Sequence, residues 1–196
     1  MALPRDSMVM TEAEYLAFER SSDVKHEYID GEAFAMPGAS RAHNLISVNL
    51  ITSVRIQLRG RPCQVYPSDM RVKIDVLRQY AYPDLSVVCG DAHFTSNEPE
   101  SLLSPILIVE ILSPPTERYD RGRKFQIYRK LASLQEYVLI AQDSPRIERY
   151  RLQDDSTWTF TEVEGLETSM ELPSIGCTLA LEEIYDLVAF TQDDAE

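Results

Sequence analysis

Glu110 stands inside Pro105-Ile-Leu-Ile-Val-Glu-Ile-Leu112, a run that otherwise reads as a buried strand. A carboxylate in such a run is costly to desolvate unless a cation, a hydrogen-bond donor or a proton compensates it. Upstream, Tyr82-Pro83-Asp84 leads into a second apolar run, Leu85-Ser-Val-Val-Cys89; downstream, Lys124 falls in a helical stretch. Two strand-borne acids and a lysine can hold a divalent metal and assist attack by water on a phosphodiester. Each residue also has an ordinary reading. Asp84 can be turn chemistry after a proline. Glu110 can end a strand, paired to an arginine. Lys124, four residues after Asp120 and four before Tyr128, can form an i,i+4 surface pair on an exposed helix. Tyr128 on that face reads as core packing.

Three further polar residues are candidates for the same pocket. His43 opens a long helix and reads either as a local cap or as a group reaching into the site. Glu27, in an early hairpin, reads as a supporting carboxylate or an exposed strand residue. Asp69, before Met70-Arg-Val, is the weakest. If Asp84 and Glu110 are neighbours, their repulsion without metal should raise the pKa of at least one. Glu110 is the expected one, because its surroundings are more apolar.

The elements that must position these residues follow from the pattern. Thr11-Glu-Ala-Glu14 is a capping-box helix start, and Lys25–Met36 reads as a hairpin turning at Asp30-Gly31. Ser40 caps a helix to about Leu58 whose stripe is Ile51, Val54 and Leu58, flanked by Leu50. Strands are expected near Cys63–Tyr66, Met70–Val76, Leu85–Cys89 and Pro105–Leu112. A helix over Glu117–Leu131 and a strand at Tyr137–Ala141 follow. Ile147–Leu152 and Thr157–Val163 alternate like a half-exposed hairpin, and Leu181–Phe190 reads as a final amphipathic helix. The order predicts one α/β domain over residues 1–196: a mixed β-sheet flanked by helices, with an N-terminal helix and hairpin.

Composition bounds the function. At 196 residues and 44% hydrophobic, the chain can bury a real core. Three scattered cysteines, Cys63, Cys89 and Cys177, suggest free buried thiols in a reducing compartment. No segment approaches membrane-spanning length and the N-terminus lacks a signal-like apolar stretch, so a soluble cytoplasmic protein without membrane contact is expected. The net charge is −13, but residues 152–196 hold 12 acids and no Lys or Arg. The first 151 residues are nearly neutral, with 20 acids and 19 bases. No strong basic footprint advertises nucleic acid; the nearest is Arg118, Arg121, Arg123, Lys124, Arg129 and Lys130.

Taken together, Pro83-Asp84, Val109-Glu110-Ile-Leu-Ser113, Thr116-Glu-Arg-Tyr-Asp120 and Lys124 resemble the bacterial restriction-endonuclease-like family of the PD-(D/E)XK nuclease superfamily. So do His26-Glu-Tyr-Ile-Asp-Gly31, Ala42-His43-Asn44 and Leu179-Ala-Leu-Glu-Glu-Ile-Tyr185. The resemblance covers most of the chain. It implies a restriction-endonuclease-like fold, Asp84 and Glu110 as ligands of Mg²⁺ (or Mn²⁺), and Lys124 as the third catalytic member. The superfamily signature puts lysine two residues after the acid. Here that position is Leu112, and the amine would come from the following helix. The expected activity is metal-dependent hydrolysis of DNA by a homodimer, with Glu27 and His43 shaping the pocket and the Ile147–Val163 hairpin in the interface. The alternative is an inactive binding or assembly module that keeps the nuclease fold.

Overall fold

The computed structural model describes residues 7–36, 38–96, 99–114 and 116–190. Helix α1 (Glu12–Ser21) starts at Thr11 in a complete capping box, as its sequence predicts. Strands β2 (His26–Ile29) and β3 (Glu32–Ala35) form the expected hairpin. Its turn uses Asp30 and Gly31 at φ of 52° and 86°, the left-handed pair that a tight two-residue hairpin requires. A short strand β1 (Ser7–Val9) adds to β3. Helix α2 (Arg41–Gln57) is capped by the Ser40 hydroxyl. Its buried stripe is Ile46, Leu50, Val54 and the capping Leu58, spaced by four; Ile51 lies at the flank.

The remaining strands are β4 (Cys63–Pro67), β5 (Val72–Ile74), β6 (Gln79–Ala81), β7 (Leu85–Cys89), β8 (Leu107–Leu112), β9 (Glu136–Ala141), β10 (Arg146–Leu152), β11 (Trp158–Glu164), β12 (Ser169–Leu172) and β13 (Cys177–Ala180). They make a mixed six-stranded sheet in the order β11-β10-β9-β8-β7-β4, an antiparallel five-stranded sheet in the order β1-β3-β2-β6-β5, and the β12–β13 hairpin. The sequence pattern predicts one mixed sheet; the separate five-stranded sheet and strands β1, β6, β12 and β13 are additional to it.

Among the strands of the described residues, only β8 and β9 pair in parallel. Parallel neighbours need a crossover. It consists of α3 (Glu117–Tyr119), a π-helical turn (Asp120–Lys124) and α4 (Phe125–Tyr128). One core forms where α2 and the β12–β13 region cover one face of the six-stranded sheet, with Val109, Val138 and Ile140 pointing into it. On the other face Ile108, Leu112, Tyr137 and Leu139 meet the crossover and residues of the five-stranded sheet. Glu110 alternates with Val109 and Ile111, so it points to this second face, between the two sheets.

Two expectations are corrected. Cys63 and Cys89 lie directly opposite each other on β4 and β7 and form a disulfide, so only Cys177 is a free buried thiol. Their separation of 26 residues hid a cross-strand pairing that register makes inevitable. The final helix is a single turn, α5 (Leu181–Ile184). Leu187 adopts φ of 60°, a left-handed conformation incompatible with its continuation.

Candidate active site

The pairing of β7 with β8 assembles the acids. Leu85 stands opposite Val109. One step further along this antiparallel pair, Asp84 faces Glu110, and opposed residues project to the same side of a sheet. Both border a cleft of about 500 Å³ between the start of α2 and the crossover, together with Ser40, His43, Asp120 and Lys124. The Asp84 carboxylate is held at both oxygens. Ile111 N–H donates to Oδ2 at 2.7 Å, and His43 Nε2 lies 3.1 Å from Oδ1. His43 reaches there because the Ser40 cap fixes the first turn of α2 at the cleft. Burial works against a charged His43. The hydrogen bond and charge of Asp84, with Asp120 adding, outweigh it and raise its pKa.

Glu110 is 4% exposed and, among the described residues, pairs with no arginine. Its Oε1 accepts from Lys124 Nζ at 3.0 Å and from the Tyr128 hydroxyl at 2.8 Å. Tyr128 is thus both core and site. Lys124 and Asp120 are 7% and 3% exposed, so the pair that reads as a surface pair is buried. The i,i+4 spacing is the same for a face turned inward, and only the crossover's seat against β8 and β9 sets which face that is. Lys124 also contacts Glu27 Oε1 at 3.1 Å and Asp120 Oδ1 at 3.4 Å. Glu27 sits on β2 of the smaller sheet and accepts Tyr82 N–H at 3.3 Å, so the site joins both sheets. Asp69 stays outside: its side chain is exposed and pairs with Lys25.

The charges do not balance. Glu27, Asp84, Glu110 and Asp120 surround Lys124 and His43. Burial raises the Glu110 pKa well above the usual carboxylate value; Lys124 opposes that shift, and Asp120, Asp84 and Glu27 add to it. Burial disfavours the Lys124 ammonium, but Glu110, Glu27 and Asp120 reverse this and hold it protonated. Among the described residues no three His, Cys, Asp or Glu side chains form a ready-made metal cage. Two converging carboxylates are nevertheless enough for Mg²⁺, which keeps several waters and takes substrate phosphate oxygens. The excess of buried acid fits a cation at this place.

The basic cluster offers less to a polyanion than its sequence suggests. Arg121 pairs with Glu117 and Glu148, and Arg123 with Asp30. Asp120, Tyr128 and Ile111 N–H join the site although their sequence context predicts only a surface pair, core packing and an ordinary strand amide. The only signal was the i,i+4 and i,i+8 spacing of Asp120, Lys124 and Tyr128.

The chain has recognisable relatives and a structural counterpart. A protein from Synechocystis sp., itself uncharacterized, is 39% identical over 177 residues, covering 90% of this chain and 92% of the relative. A second from the same organism is 35% identical over 171 residues, covering 87% and 97%. A crystal structure described as a "putative nuclease belonging to DUF820" from Anabaena variabilis superposes with a TM-score of 0.74 at 18% identity, over 92% of this chain and 99% of that one. The Uma2 family model, described as "Putative restriction endonuclease", matches residues 12–182, and the chain belongs to that family.

Proposed function

We propose that the protein is a metal-dependent endonuclease that hydrolyses DNA phosphodiester bonds. The observation that carries this reading is the placement of Asp84 opposite Glu110 in one cleft, with the Lys124 ammonium bonded to Glu110. Asp84 and Glu110 would hold Mg²⁺ or Mn²⁺, which supplies polarisation of the phosphate and an activated water. Ile111 N–H and His43 orient Asp84. Tyr128 and Lys124 occupy Glu110 Oε1, so Oε2 is the oxygen that would take the metal. Lys124, kept as an ammonium, stabilises charge developing on the phosphate and does not act as a base. Glu27 and His43 shape the pocket. DNA is the partner, the working form is a homodimer, and no helix of the described residues is long and apolar enough to cross a membrane; the Cys63–Cys89 disulfide removes the free-thiol argument for a reducing compartment.

Calorimetric titration of wild type and Glu110→Gln with Mn²⁺, paired with a DNA cleavage assay, tests the reading. Wild type is expected to bind Mn²⁺ and cleave DNA, and Glu110→Gln to lose both. Unchanged Mn²⁺ affinity in Glu110→Gln would remove Glu110 from the metal. Metal binding without cleavage would favour the inactive binding or assembly module, which the acidic C-terminal quarter also suits.

A further inference from the structure

An ammonium has three N–H donors. That of Lys124 donates to Glu110 Oε1 at 3.0 Å and lies 3.1 Å from Glu27 Oε1 and 3.4 Å from Asp120 Oδ1. Glu110 and Glu27 are carried by strands. Asp120 alone rides on the same helical segment as the lysine: it opens the π turn that Lys124 closes. The Tyr137 hydroxyl, from β9, donates to the Asp120 carbonyl oxygen at 3.0 Å and pins that turn to the sheet. Such wide turns are rare and recur at functional positions.

Asp120 is also under-satisfied. It borders the cleft, it is 3% exposed, and its Oδ1 makes no hydrogen bond among the described residues. The approach to Lys124 is an ion pair without hydrogen-bond alignment. A buried carboxylate oxygen short of a donor is unfavourable, and this one also opposes the charge of Glu110. A neutral side chain of the same size would fill the space without that conflict, so packing does not account for the acid.

We propose that Asp120 is a positioning residue for Lys124, aiming its ammonium at Glu110 and the cleft from the turn that Tyr137 anchors. The inference rests on the nuclease reading of this cleft. A lysine at position 112 would be aimed by the pleat of β8, on the same face as Glu110. A lysine arriving from the crossover on a flexible four-carbon stem has no such guide and needs a brace.

The test is Asp120→Asn, nearly isosteric, read by the ¹⁵N resonance of the Lys124 ammonium, by Mn²⁺ affinity, by kcat and KM for DNA cleavage, and by thermal unfolding. In wild type the buried ammonium is expected to give a resolved, slowly exchanging signal. In Asp120→Asn that signal should broaden or vanish. The kcat should fall by up to about 10²-fold, the cost of misplacing a reacting group by about 1 Å. KM and Mn²⁺ affinity should hold, and the melting temperature should stay level or rise, because one of the acids crowding Glu110 has been neutralised. An unchanged signal with unchanged kcat would overturn the proposal. So would failure to fold, or parallel loss of stability and Mn²⁺ affinity, either of which would make Asp120 structural. If the wild type cleaves no DNA, the nuclease reading fails, and the ammonium signal still decides the brace by its loss or persistence in Asp120→Asn.

Discussion

At the scale of single residues, the site is a set of buried charges whose balance depends on pH. Folded Glu110 binds its proton more tightly than an unfolded glutamate with its ordinary value of 4.5. Its contribution to stability is therefore fully present below 4.5 and is lost as the pH rises through the raised value. Lys124, raised from 10.5, contributes throughout the neutral range and loses its effect only in strong alkali. Lys124→Ala thus differs from an exposed helical substitution. It leaves Glu27, Glu110 and Asp120 facing one another without the cation, and breaking a buried pair in this way costs about 3–5 kcal/mol. Urea unfolding should show most of that loss at pH 8 and a smaller loss at pH 5, where protons take the place of the ammonium. Equal losses at both pH values would mean that the three acids do not depend on Lys124. Much of this was legible. An acid in an apolar strand run cannot stay uncompensated, so Glu110 identified itself, and its partner had to be nearby. The depth of Asp120 and Lys124 was not legible, because helical spacing fixes which residues share a face but not where that face looks.

At the scale of elements, local signals placed the start of α1 and both ends of α2 nearly to the residue, because a cap is a local bond between neighbours in sequence. Pairing between distant strands was harder. Strand β1 has three exposed residues and no apolar alternation to mark it. Strands β12 and β13 lie in the acidic quarter, where charge masks the buried Met170, Leu172, Cys177 and Leu179. The disulfide belongs here too, since it ties the outermost strand β4 to β7, whose first residue follows Asp84. Closing a loop of this length stabilises by about 3 kcal/mol through the unfolded chain. Cys63→Ser, or wild type in dithiothreitol, should lose roughly that much in urea unfolding. Because Cys63 and Cys89 sit at the far end of the β4–β7 ladder from Asp84, Mn²⁺ affinity should be retained. Loss of metal binding on reduction would show that the disulfide holds the acids in register.

For the whole molecule, one edge of the larger sheet is strand β11, with Phe160 54% exposed in its middle. An open edge carrying an aromatic suits pairing with a second copy about a twofold axis, and cutting both strands of DNA calls for two sites. Light scattering at micromolar concentration is expected to report a dimer for wild type and a monomer for Phe160→Lys. A monomeric wild type would refute the dimer and leave the fold untouched. Charge was legible at this scale only in part. The sequence shows where the acids lie along the chain, but not that Arg121 and Arg123 spend their charge on Glu117, Glu148 and Asp30.

The crossover between the two parallel strands has a consequence for how such chains can be recombined. Strand β8, the crossover helices and strand β9 all fall within residues 107–141 of the sequence, and they carry Glu110, Asp120 and Lys124. Grafted into a relative, that stretch brings the ammonium and two of its acids as a matched cassette, and the host need supply only counterparts of Asp84 and Glu27. A breakpoint inside the stretch, between Glu110 and Lys124, can instead pair an acid from one parent with a position in the other that holds no amine. Each such hybrid would inherit a buried charge without its counterion, so viable breakpoints should fall outside 107–141 and rarely within it.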